Sequence, residues 1–125
     1  MEKKVIASPL APKAVGPYSQ AIQTDNTLYV SGQLPINPET GTMPESIEEQ
    51  TAQSLKNLGN ILAEAGFGFE NVVKTTVLLA DIKDFVAMNG VYAEHFSGAF
   101  PARVCYQVAA LPMGAKVEID AIAVK

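Results

Sequence analysis

The sequence predicts an α+β fold: a mixed sheet of about six strands with two helices on one face. Three observations predict it. Apolar or small residues recur at Ile47, Thr51, Leu55, Leu58, Leu62 and Ala65, and again at Phe85, Met88, Tyr92 and Phe96, the three-and-four spacing of helices with one buried stripe. Segments around and between them are rich in Val, Ile, Thr and Tyr and alternate with period two. The elements run strands, helix, strand, helix, strands, and two helices cover one face of a sheet but not both.

Residues 4–7 read as a short edge strand. Residues 8–17 contain Pro9, Pro12, Gly16 and Pro17 and read as a loop. Residues 18–24 and Thr27–Gln33 read as strands joined by a hairpin turn at Asp25-Asn26. Residues 34–44 form a polar loop. Ser46-Ile47-Glu48-Glu49 is a capping-box pattern: Ser46 accepts from the amide three residues on and Glu49 reaches back. Glu48 and Glu49 also suit the positive end of the helix that follows. Gly66 is placed to end that helix in the left-handed conformation.

Residues 72–80 form the strongest strand. Strict alternation puts Val73, Thr75, Val77 and Leu79 on one face and Val72, Thr76 and Leu78 on the other. Both faces are largely apolar, so both are expected to be covered. The second helix spans residues 84–97; Gly90 inside it costs about 1 kcal/mol relative to alanine. Gly98 and Pro101 break it, and residues 102–109 and 116–124 complete the sheet.

With 48% hydrophobic and 18% charged residues, the 125-residue chain reads as one soluble globular domain, residues 1–125, without repeats or linkers. No apolar run approaches the roughly 20 residues of a transmembrane helix, and the N-terminus lacks a signal-peptide core. A single cysteine fits a reducing compartment, so a cytoplasmic location is expected. Net charge is −4 and the nine Lys and Arg residues are scattered, which argues against a nucleic-acid surface. A chain of this size with an uncovered apolar sheet face is expected to be an oligomer whose sheets pack together.

The residues that carry chemistry lie in the last two strands. Arg103 sits in Pro101-Ala102-Arg103-Val104-Cys105-Tyr106, sharing a strand face with Cys105 and Gln107. An arginine among apolar neighbours is costly to bury without an anion. Glu118 and Asp120 share a face opposite Val117, Ile119 and Ala121, and a carboxylate there is a candidate acid or base. Together they suggest a pocket for an anionic substrate undergoing proton chemistry. From spacing alone, a rim or interface ion pair is the favoured account of Arg103, and a surface carboxylate that of Glu118. Cys105 reads as an inert packed thiol, because the one histidine, His95, falls off the stripe of the second helix and reads as solvated. One His and one Cys make no zinc site. Ser31-Gly32-Gln33 and Gly16-Pro17-Tyr18 are turn chemistry taken singly, with Gly32 permitting close approach to a ligand.

Taken together, these segments resemble a known family. Pro101 to Val108 with Val117-Glu118-Ile119, Gly16-Pro17-Tyr18-Ser19-Gln20, Leu28-Tyr29-Val30-Ser31-Gly32-Gln33 and Asn89-Gly90-Val91-Tyr92 match, in order, the motifs of the Rid (reactive intermediate deaminase, YjgF-type) family. The resemblance spans essentially the whole chain. It implies a chorismate-mutase-like fold and a homotrimer whose sheets form a central barrel, with clefts between subunits. Arg103 occupies the place of the arginine that marks the RidA subgroup. That subgroup hydrolyses 2-imino acids such as 2-iminobutanoate and 2-iminopropanoate to 2-oxo acids and ammonia. The implied substrates come from pyridoxal-phosphate-dependent dehydratases, and no cofactor or metal is implied.

On that resemblance Arg103 grips the substrate carboxylate, Glu118 handles the water and the proton, and Tyr18, from a neighbouring subunit, closes the cleft. Backbone near Gly32 and Cys105 fixes the substrate, with Ser31 and Asn89 as further polar support. Two other functions compete with this reading: a small-carboxylate-binding regulatory module, and an endoribonuclease activity claimed for some relatives.

Overall fold

The stripe from Ile47 becomes the buried face of helix α1 (Ile47–Glu64), with Leu55, Leu58, Ile61 and Leu62 wholly inaccessible to solvent. The structure is a computed structural model that describes residues 2–125. Ser46 caps α1: its Oγ accepts from the Glu49 amide at 3.0 Å. The return half of the capping box differs from expectation, because the Glu49 carboxylate accepts from the Ser46 hydroxyl (3.0 Å) rather than from its amide. Gly66 ends the helix at φ +80°, as its position predicts.

Helix α2 (Phe85–Ala93) stops four residues short of the predicted end, after a 3-10 turn at Ile82–Asp84. Beyond Tyr92 the chain tightens: the His95 amide donates to Tyr92 O, three residues back (3.1 Å). The Phe96 ring then packs on Tyr92 and Phe69, with centroids 4.8 and 5.4 Å away. Phe96 thus reaches the core from a turn and not from a helix.

The strands are β1 (Lys4–Ile6), β2 (Ala21–Thr24), β3 (Thr27–Gln33), β4 (Val72–Leu79), β5 (Ala102–Gln107) and β6 (Val117–Val124). They form one sheet in the order β1-β2-β3-β6-β4-β5. Only β4 and β5 pair in parallel. The mixed six-stranded sheet with two helices is as the sequence predicts. The β2–β3 hairpin turns at Asp25, φ +51°.

β2 is shorter than expected because Tyr18, Ser19 and Gln20 lie outside the strand. Gly16 adopts φ +119° and its carbonyl accepts from the Tyr18 amide (2.9 Å), turning the chain. Buried Gln20 then holds the preceding loop: Oε1 accepts from the Ser8 amide (2.6 Å), and Nε2 donates to the Ser8 and Pro12 carbonyls (3.2 and 2.8 Å).

The alternation expected for β4 fails at its start. Val72 is buried and Val73 exposed, because a bulge against β6 falls between Val72 and Lys74. From there on Thr75, Val77 and Leu79 face the helices, joined by Val117, Ile119, Ala121 and Ala123 of β6.

The opposite face has no covering layer in a single chain. Val5, Ile22, Tyr29 and Ile122 form one cross-strand row on it, and Leu78, Glu118 and Tyr106 another. Among the described residues no helix is long and apolar enough to cross a membrane.

Asn57, on the buried side of α1, holds the loop after β3. Its Nδ2 donates to the Leu34 and Ile36 carbonyls at 3.1 and 2.9 Å. Asn57→Ala strips two carbonyls of their donor. It should lower unfolding free energy by about 2–4 kcal/mol, read as a reduced denaturation midpoint at unchanged slope.

Candidate active site

Glu118 sits where β3 breaks register with β6. Val30 pairs with Ala121 and Gln33 with Ile119, so Ser31 and Gly32 together oppose a single residue. The bulge brings the Gly32 backbone against the Glu118 side chain. A Cβ built at Gly32 would collide with the Glu118 carboxylate and lie 2.9 Å from its Cδ, so a larger residue there would displace the carboxylate. The Ser31 hydroxyl donates to Ser19 O at 2.6 Å, pinning the segment that carries Tyr18. Tyr18, Ser31, Gly32 and Glu118 thus line one groove of about 520 Å³.

Burial, with a smaller contribution from the like charge of Asp120, raises the Glu118 carboxyl above its ordinary value. Asp120 is itself anchored, its Oδ1 accepting from the Thr76 amide at 2.9 Å. A small recess of about 90 Å³ lies between the two carboxylates, bounded by Gly32, Thr76 and Leu78.

Arg103 occupies the other side of the sheet. It pairs in register with Thr75 of β4, which pairs with Ala121 of β6, so its side chain rises on the helix-covered face. There Nη1 donates to Asn89 Oδ1 at 2.8 Å, and the guanidinium carbon lies 4.9 Å from the Tyr92 ring centre and 5.6 Å from that of Phe85. A second concavity, about 330 Å³, opens here between Asn89, Phe100 and Arg103. The guanidinium is bonded to a neutral amide and keeps further N–H donors for an incoming anion.

β5 is an edge strand. The Val108 amide donates to Leu79 O at 2.9 Å. Alternation therefore turns the backbone groups of Cys105 away from β4, toward the free edge. Burial raises the Cys105 thiol, which Arg103 only partly offsets, so the sulfur stays protonated. His95 is not solvated as expected; it is half-buried, with Nδ1 at 3.0 Å from Val91 O and its ring edge-on to Phe69. Among the described residues no three His, Cys, Asp or Glu side chains gather as a metal-binding group.

The seven expected site residues therefore fall into two groups. Tyr18, Ser31, Gly32 and Glu118 share one groove, while Arg103, Asn89 and Cys105 lie on or beside the other. Within one chain the groups are on opposite faces of the sheet. Two expected roles also shift. Ser31 spends its donor on the Ser19 carbonyl, and Asn89 accepts from Arg103. Residues not singled out from the sequence join both sides. Lys13 and Met113, the latter at φ +59°, line the Glu118 groove. Tyr92 and Phe85 flank the arginine; the spacing of Phe85, Asn89 and Tyr92 at i, i+4 and i+7 already places all three on one helix face.

Comparison with known proteins agrees with this architecture. The endoribonuclease L-PSP family model matches residues 8–125. A Yersinia pestis structure described as a member of the conserved Rid protein family is 48% identical, covering 99% of this chain and 100% of that one, with a TM-score of 0.96. The chain belongs to the Rid (endoribonuclease L-PSP) family. Among similar Rid proteins, the mouse 2-iminobutanoate/2-iminopropanoate deaminase is 56% identical over 98% of this chain and 92% of its own length. The human protein of the same name is 51% identical over 98% and 90%. Escherichia coli TdcF, whose crystal structure contains bound serine, is 40% identical over 98% of both chains with a TM-score of 0.93.

Asp120→Asn keeps the oxygen that accepts from Thr76 and removes the like charge beside Glu118. The Glu118 carboxyl, followed by carbon-13 NMR titration, should then lose its proton at lower pH than in the wild type. An unchanged midpoint would remove Asp120 from the electrostatics of the groove.

Proposed function

We propose that this chain hydrolyses 2-imino acids, 2-iminobutanoate and 2-iminopropanoate among them, to 2-oxo acids and ammonia, in clefts between the subunits of a homotrimer. The observation that carries the reading is Arg103: a guanidinium bonded to a neutral amide, beside a concavity, on an edge strand. Its planar fork suits a carboxylate, and such a charge-assisted contact contributes about 1.5–3 kcal/mol. The names of relatives more than half identical over nearly the whole chain support the same chemistry.

Hydrolysis needs a water at the imine carbon and a proton moved from oxygen to nitrogen. Water adds across C=N to give a carbinolamine; its C–N bond then breaks, leaving C=O and free ammonia. Glu118 takes a proton from the attacking water and gives it to the imine nitrogen, then takes the carbinolamine hydroxyl proton and delivers it to the departing amine, so that both hydrogens of the water end on nitrogen. A carboxyl raised by burial exchanges that proton more readily near neutrality than an ordinary one. The phenol of Tyr18 orients the imine, and the outward Cys105 amide meets the carboxylate beside Arg103. Positioning and one proton relay suffice, without a cofactor, for a bond that already hydrolyses in water. Pyridoxal-phosphate-dependent dehydratases are the proposed source of the substrate.

The division of the residues between two faces supports the assembly. Arg103 reaches Glu118 of a neighbour when the β5 edge of one copy abuts the open face of the next, a packing that also covers Val5, Tyr29, Val104 and Tyr106. On this reading Arg103, Asn89 and Cys105 come from one subunit, and Glu118, Gly32, Ser31 and Tyr18 from the next.

Arg103→Ala should lower kcat/KM for freshly generated 2-iminobutanoate by roughly 10- to 150-fold, and Arg103→Lys should recover little of it. Glu118→Gln should keep carboxylate binding while kcat falls. Wild-type turnover in the Arg103→Ala protein would refute the deaminase mechanism.

Co-expressing Arg103→Ala with Glu118→Gln chains tests the shared cleft. Random mixing regenerates about a quarter of the sites with both groups intact, so activity should return well above either parent. Mixed assemblies as inactive as the parents would show that both groups come from one chain.

A further inference from the structure

We infer that Thr75 and Tyr92 are positioning residues that hold the Arg103 guanidinium in its carboxylate-receiving pose, an inference that rests on the reading of Arg103 as the carboxylate grip. Thr75 and Arg103 are register partners on β4 and β5, so their side chains rise side by side under α2. Tyr92 descends between them. Its hydroxyl lies 2.7 Å from Thr75 Oγ1, and its ring centre lies 4.9 Å from the guanidinium carbon. Thr75 is 0% and Tyr92 4% exposed.

A buried phenol oxygen needs a hydrogen-bond partner, and a buried threonine hydroxyl needs one too. Each satisfies the other, and no nearer arrangement of α2 on β4 is needed to do so. Threonine is stiff at χ1, so the bond fixes the tilt of the Tyr92 ring relative to the strand that neighbours β5. The ring therefore stands still beneath a long side chain that would otherwise sample many rotamers.

The chemistry of the support matters as much as its rigidity. An acidic partner would hold an arginine equally well but would neutralise it. Aromatic rings stabilise the positive charge without occupying an N–H donor. Asn89 takes one donor of Nη1 through a neutral oxygen. Phe85, at 5.6 Å, adds a second ring on the same helix face. The guanidinium is thus fixed, still charged, and left with free N–H groups.

Two double variants separate the ring from the hydroxyl pair. Tyr92→Phe with Thr75→Val removes both hydroxyls together and keeps the ring. Tyr92→Leu with Thr75→Val removes the same hydroxyls and the ring. In the first, the ring stays but loses its tether, and KM for 2-iminobutanoate and Kd for 2-oxobutanoate should weaken about threefold while kcat stays near the wild-type value. In the second, both should weaken about tenfold while kcat changes less than about threefold. Melting temperatures of both show that the chains compared are folded. Equal binding by the two variants overturns the role of the ring, and wild-type binding by the first overturns that of the hydroxyl pair.

A readout on the unmodified protein guards against a variant that fails to fold. Beside the Tyr92 ring, the wild-type Arg103 Nε–H should resonate upfield of a free arginine and exchange slowly with water. A free-arginine signal there also overturns the inference. The two readings fail separately. If wild type binds 2-oxobutanoate with this ring dependence yet leaves the imine no faster than buffer, the support stands and the deaminase reading falls. If imine turnover is normal in both double variants, the deaminase stands and the support falls.

Discussion

Everything in this fold follows from one-sided coverage of the sheet. Leu55, Leu58, Ile61 and Leu62 of α1 and Met88 and Tyr92 of α2 bury a single face, and a six-stranded sheet has two. Strand alternation then sorts the chemistry. Odd positions of β5 turn toward the helices and carry Arg103 into an aromatic setting. Even positions of β6 turn away and carry Glu118 to the open side. The cation and the acid are kept from pairing within the chain, so neither is consumed by the other.

Each half of the site is prepared differently. The acid is held by omission: Gly32 has no side chain, and the bulge at Ser31 lets the backbone approach the carboxylate. Burial and Asp120 keep its proton available. The cation is held by addition, through two rings, one amide and a hydroxyl pair beneath them. An oppositely charged residue beside either group would have neutralised it and cost it its freedom to bind.

Much of this was legible in the sequence, because periodicity and caps are local. The α1 stripe, the Ser46 cap, Gly66 and the alternation in β5 and β6 all depend on neighbours within a few residues. What escaped depends on contacts distant along the chain. The Val72–Lys74 bulge exists only because β6 pairs with β4. The early end of α2 is set by Phe96 packing on Phe69. Gln20 matched a family motif, but its grip on Ser8 and Pro12 follows from tertiary placement. Tyr92 was read as core, which it is; that its ring also faces Arg103 follows from the parallel pairing of β4 with β5, which no spacing reveals. The family resemblance named Arg103 and Glu118 as a pair to watch, yet only the register shows that they stand back to back.

That back-to-back placement has a consequence for how such a chain behaves when scarce. With the shared cleft proposed above, a lone copy holds both halves and no whole. Its competence becomes a property of the population, governed by mass action as well as by the fold. Dilution alone can then switch the chemistry off without unfolding a single helix.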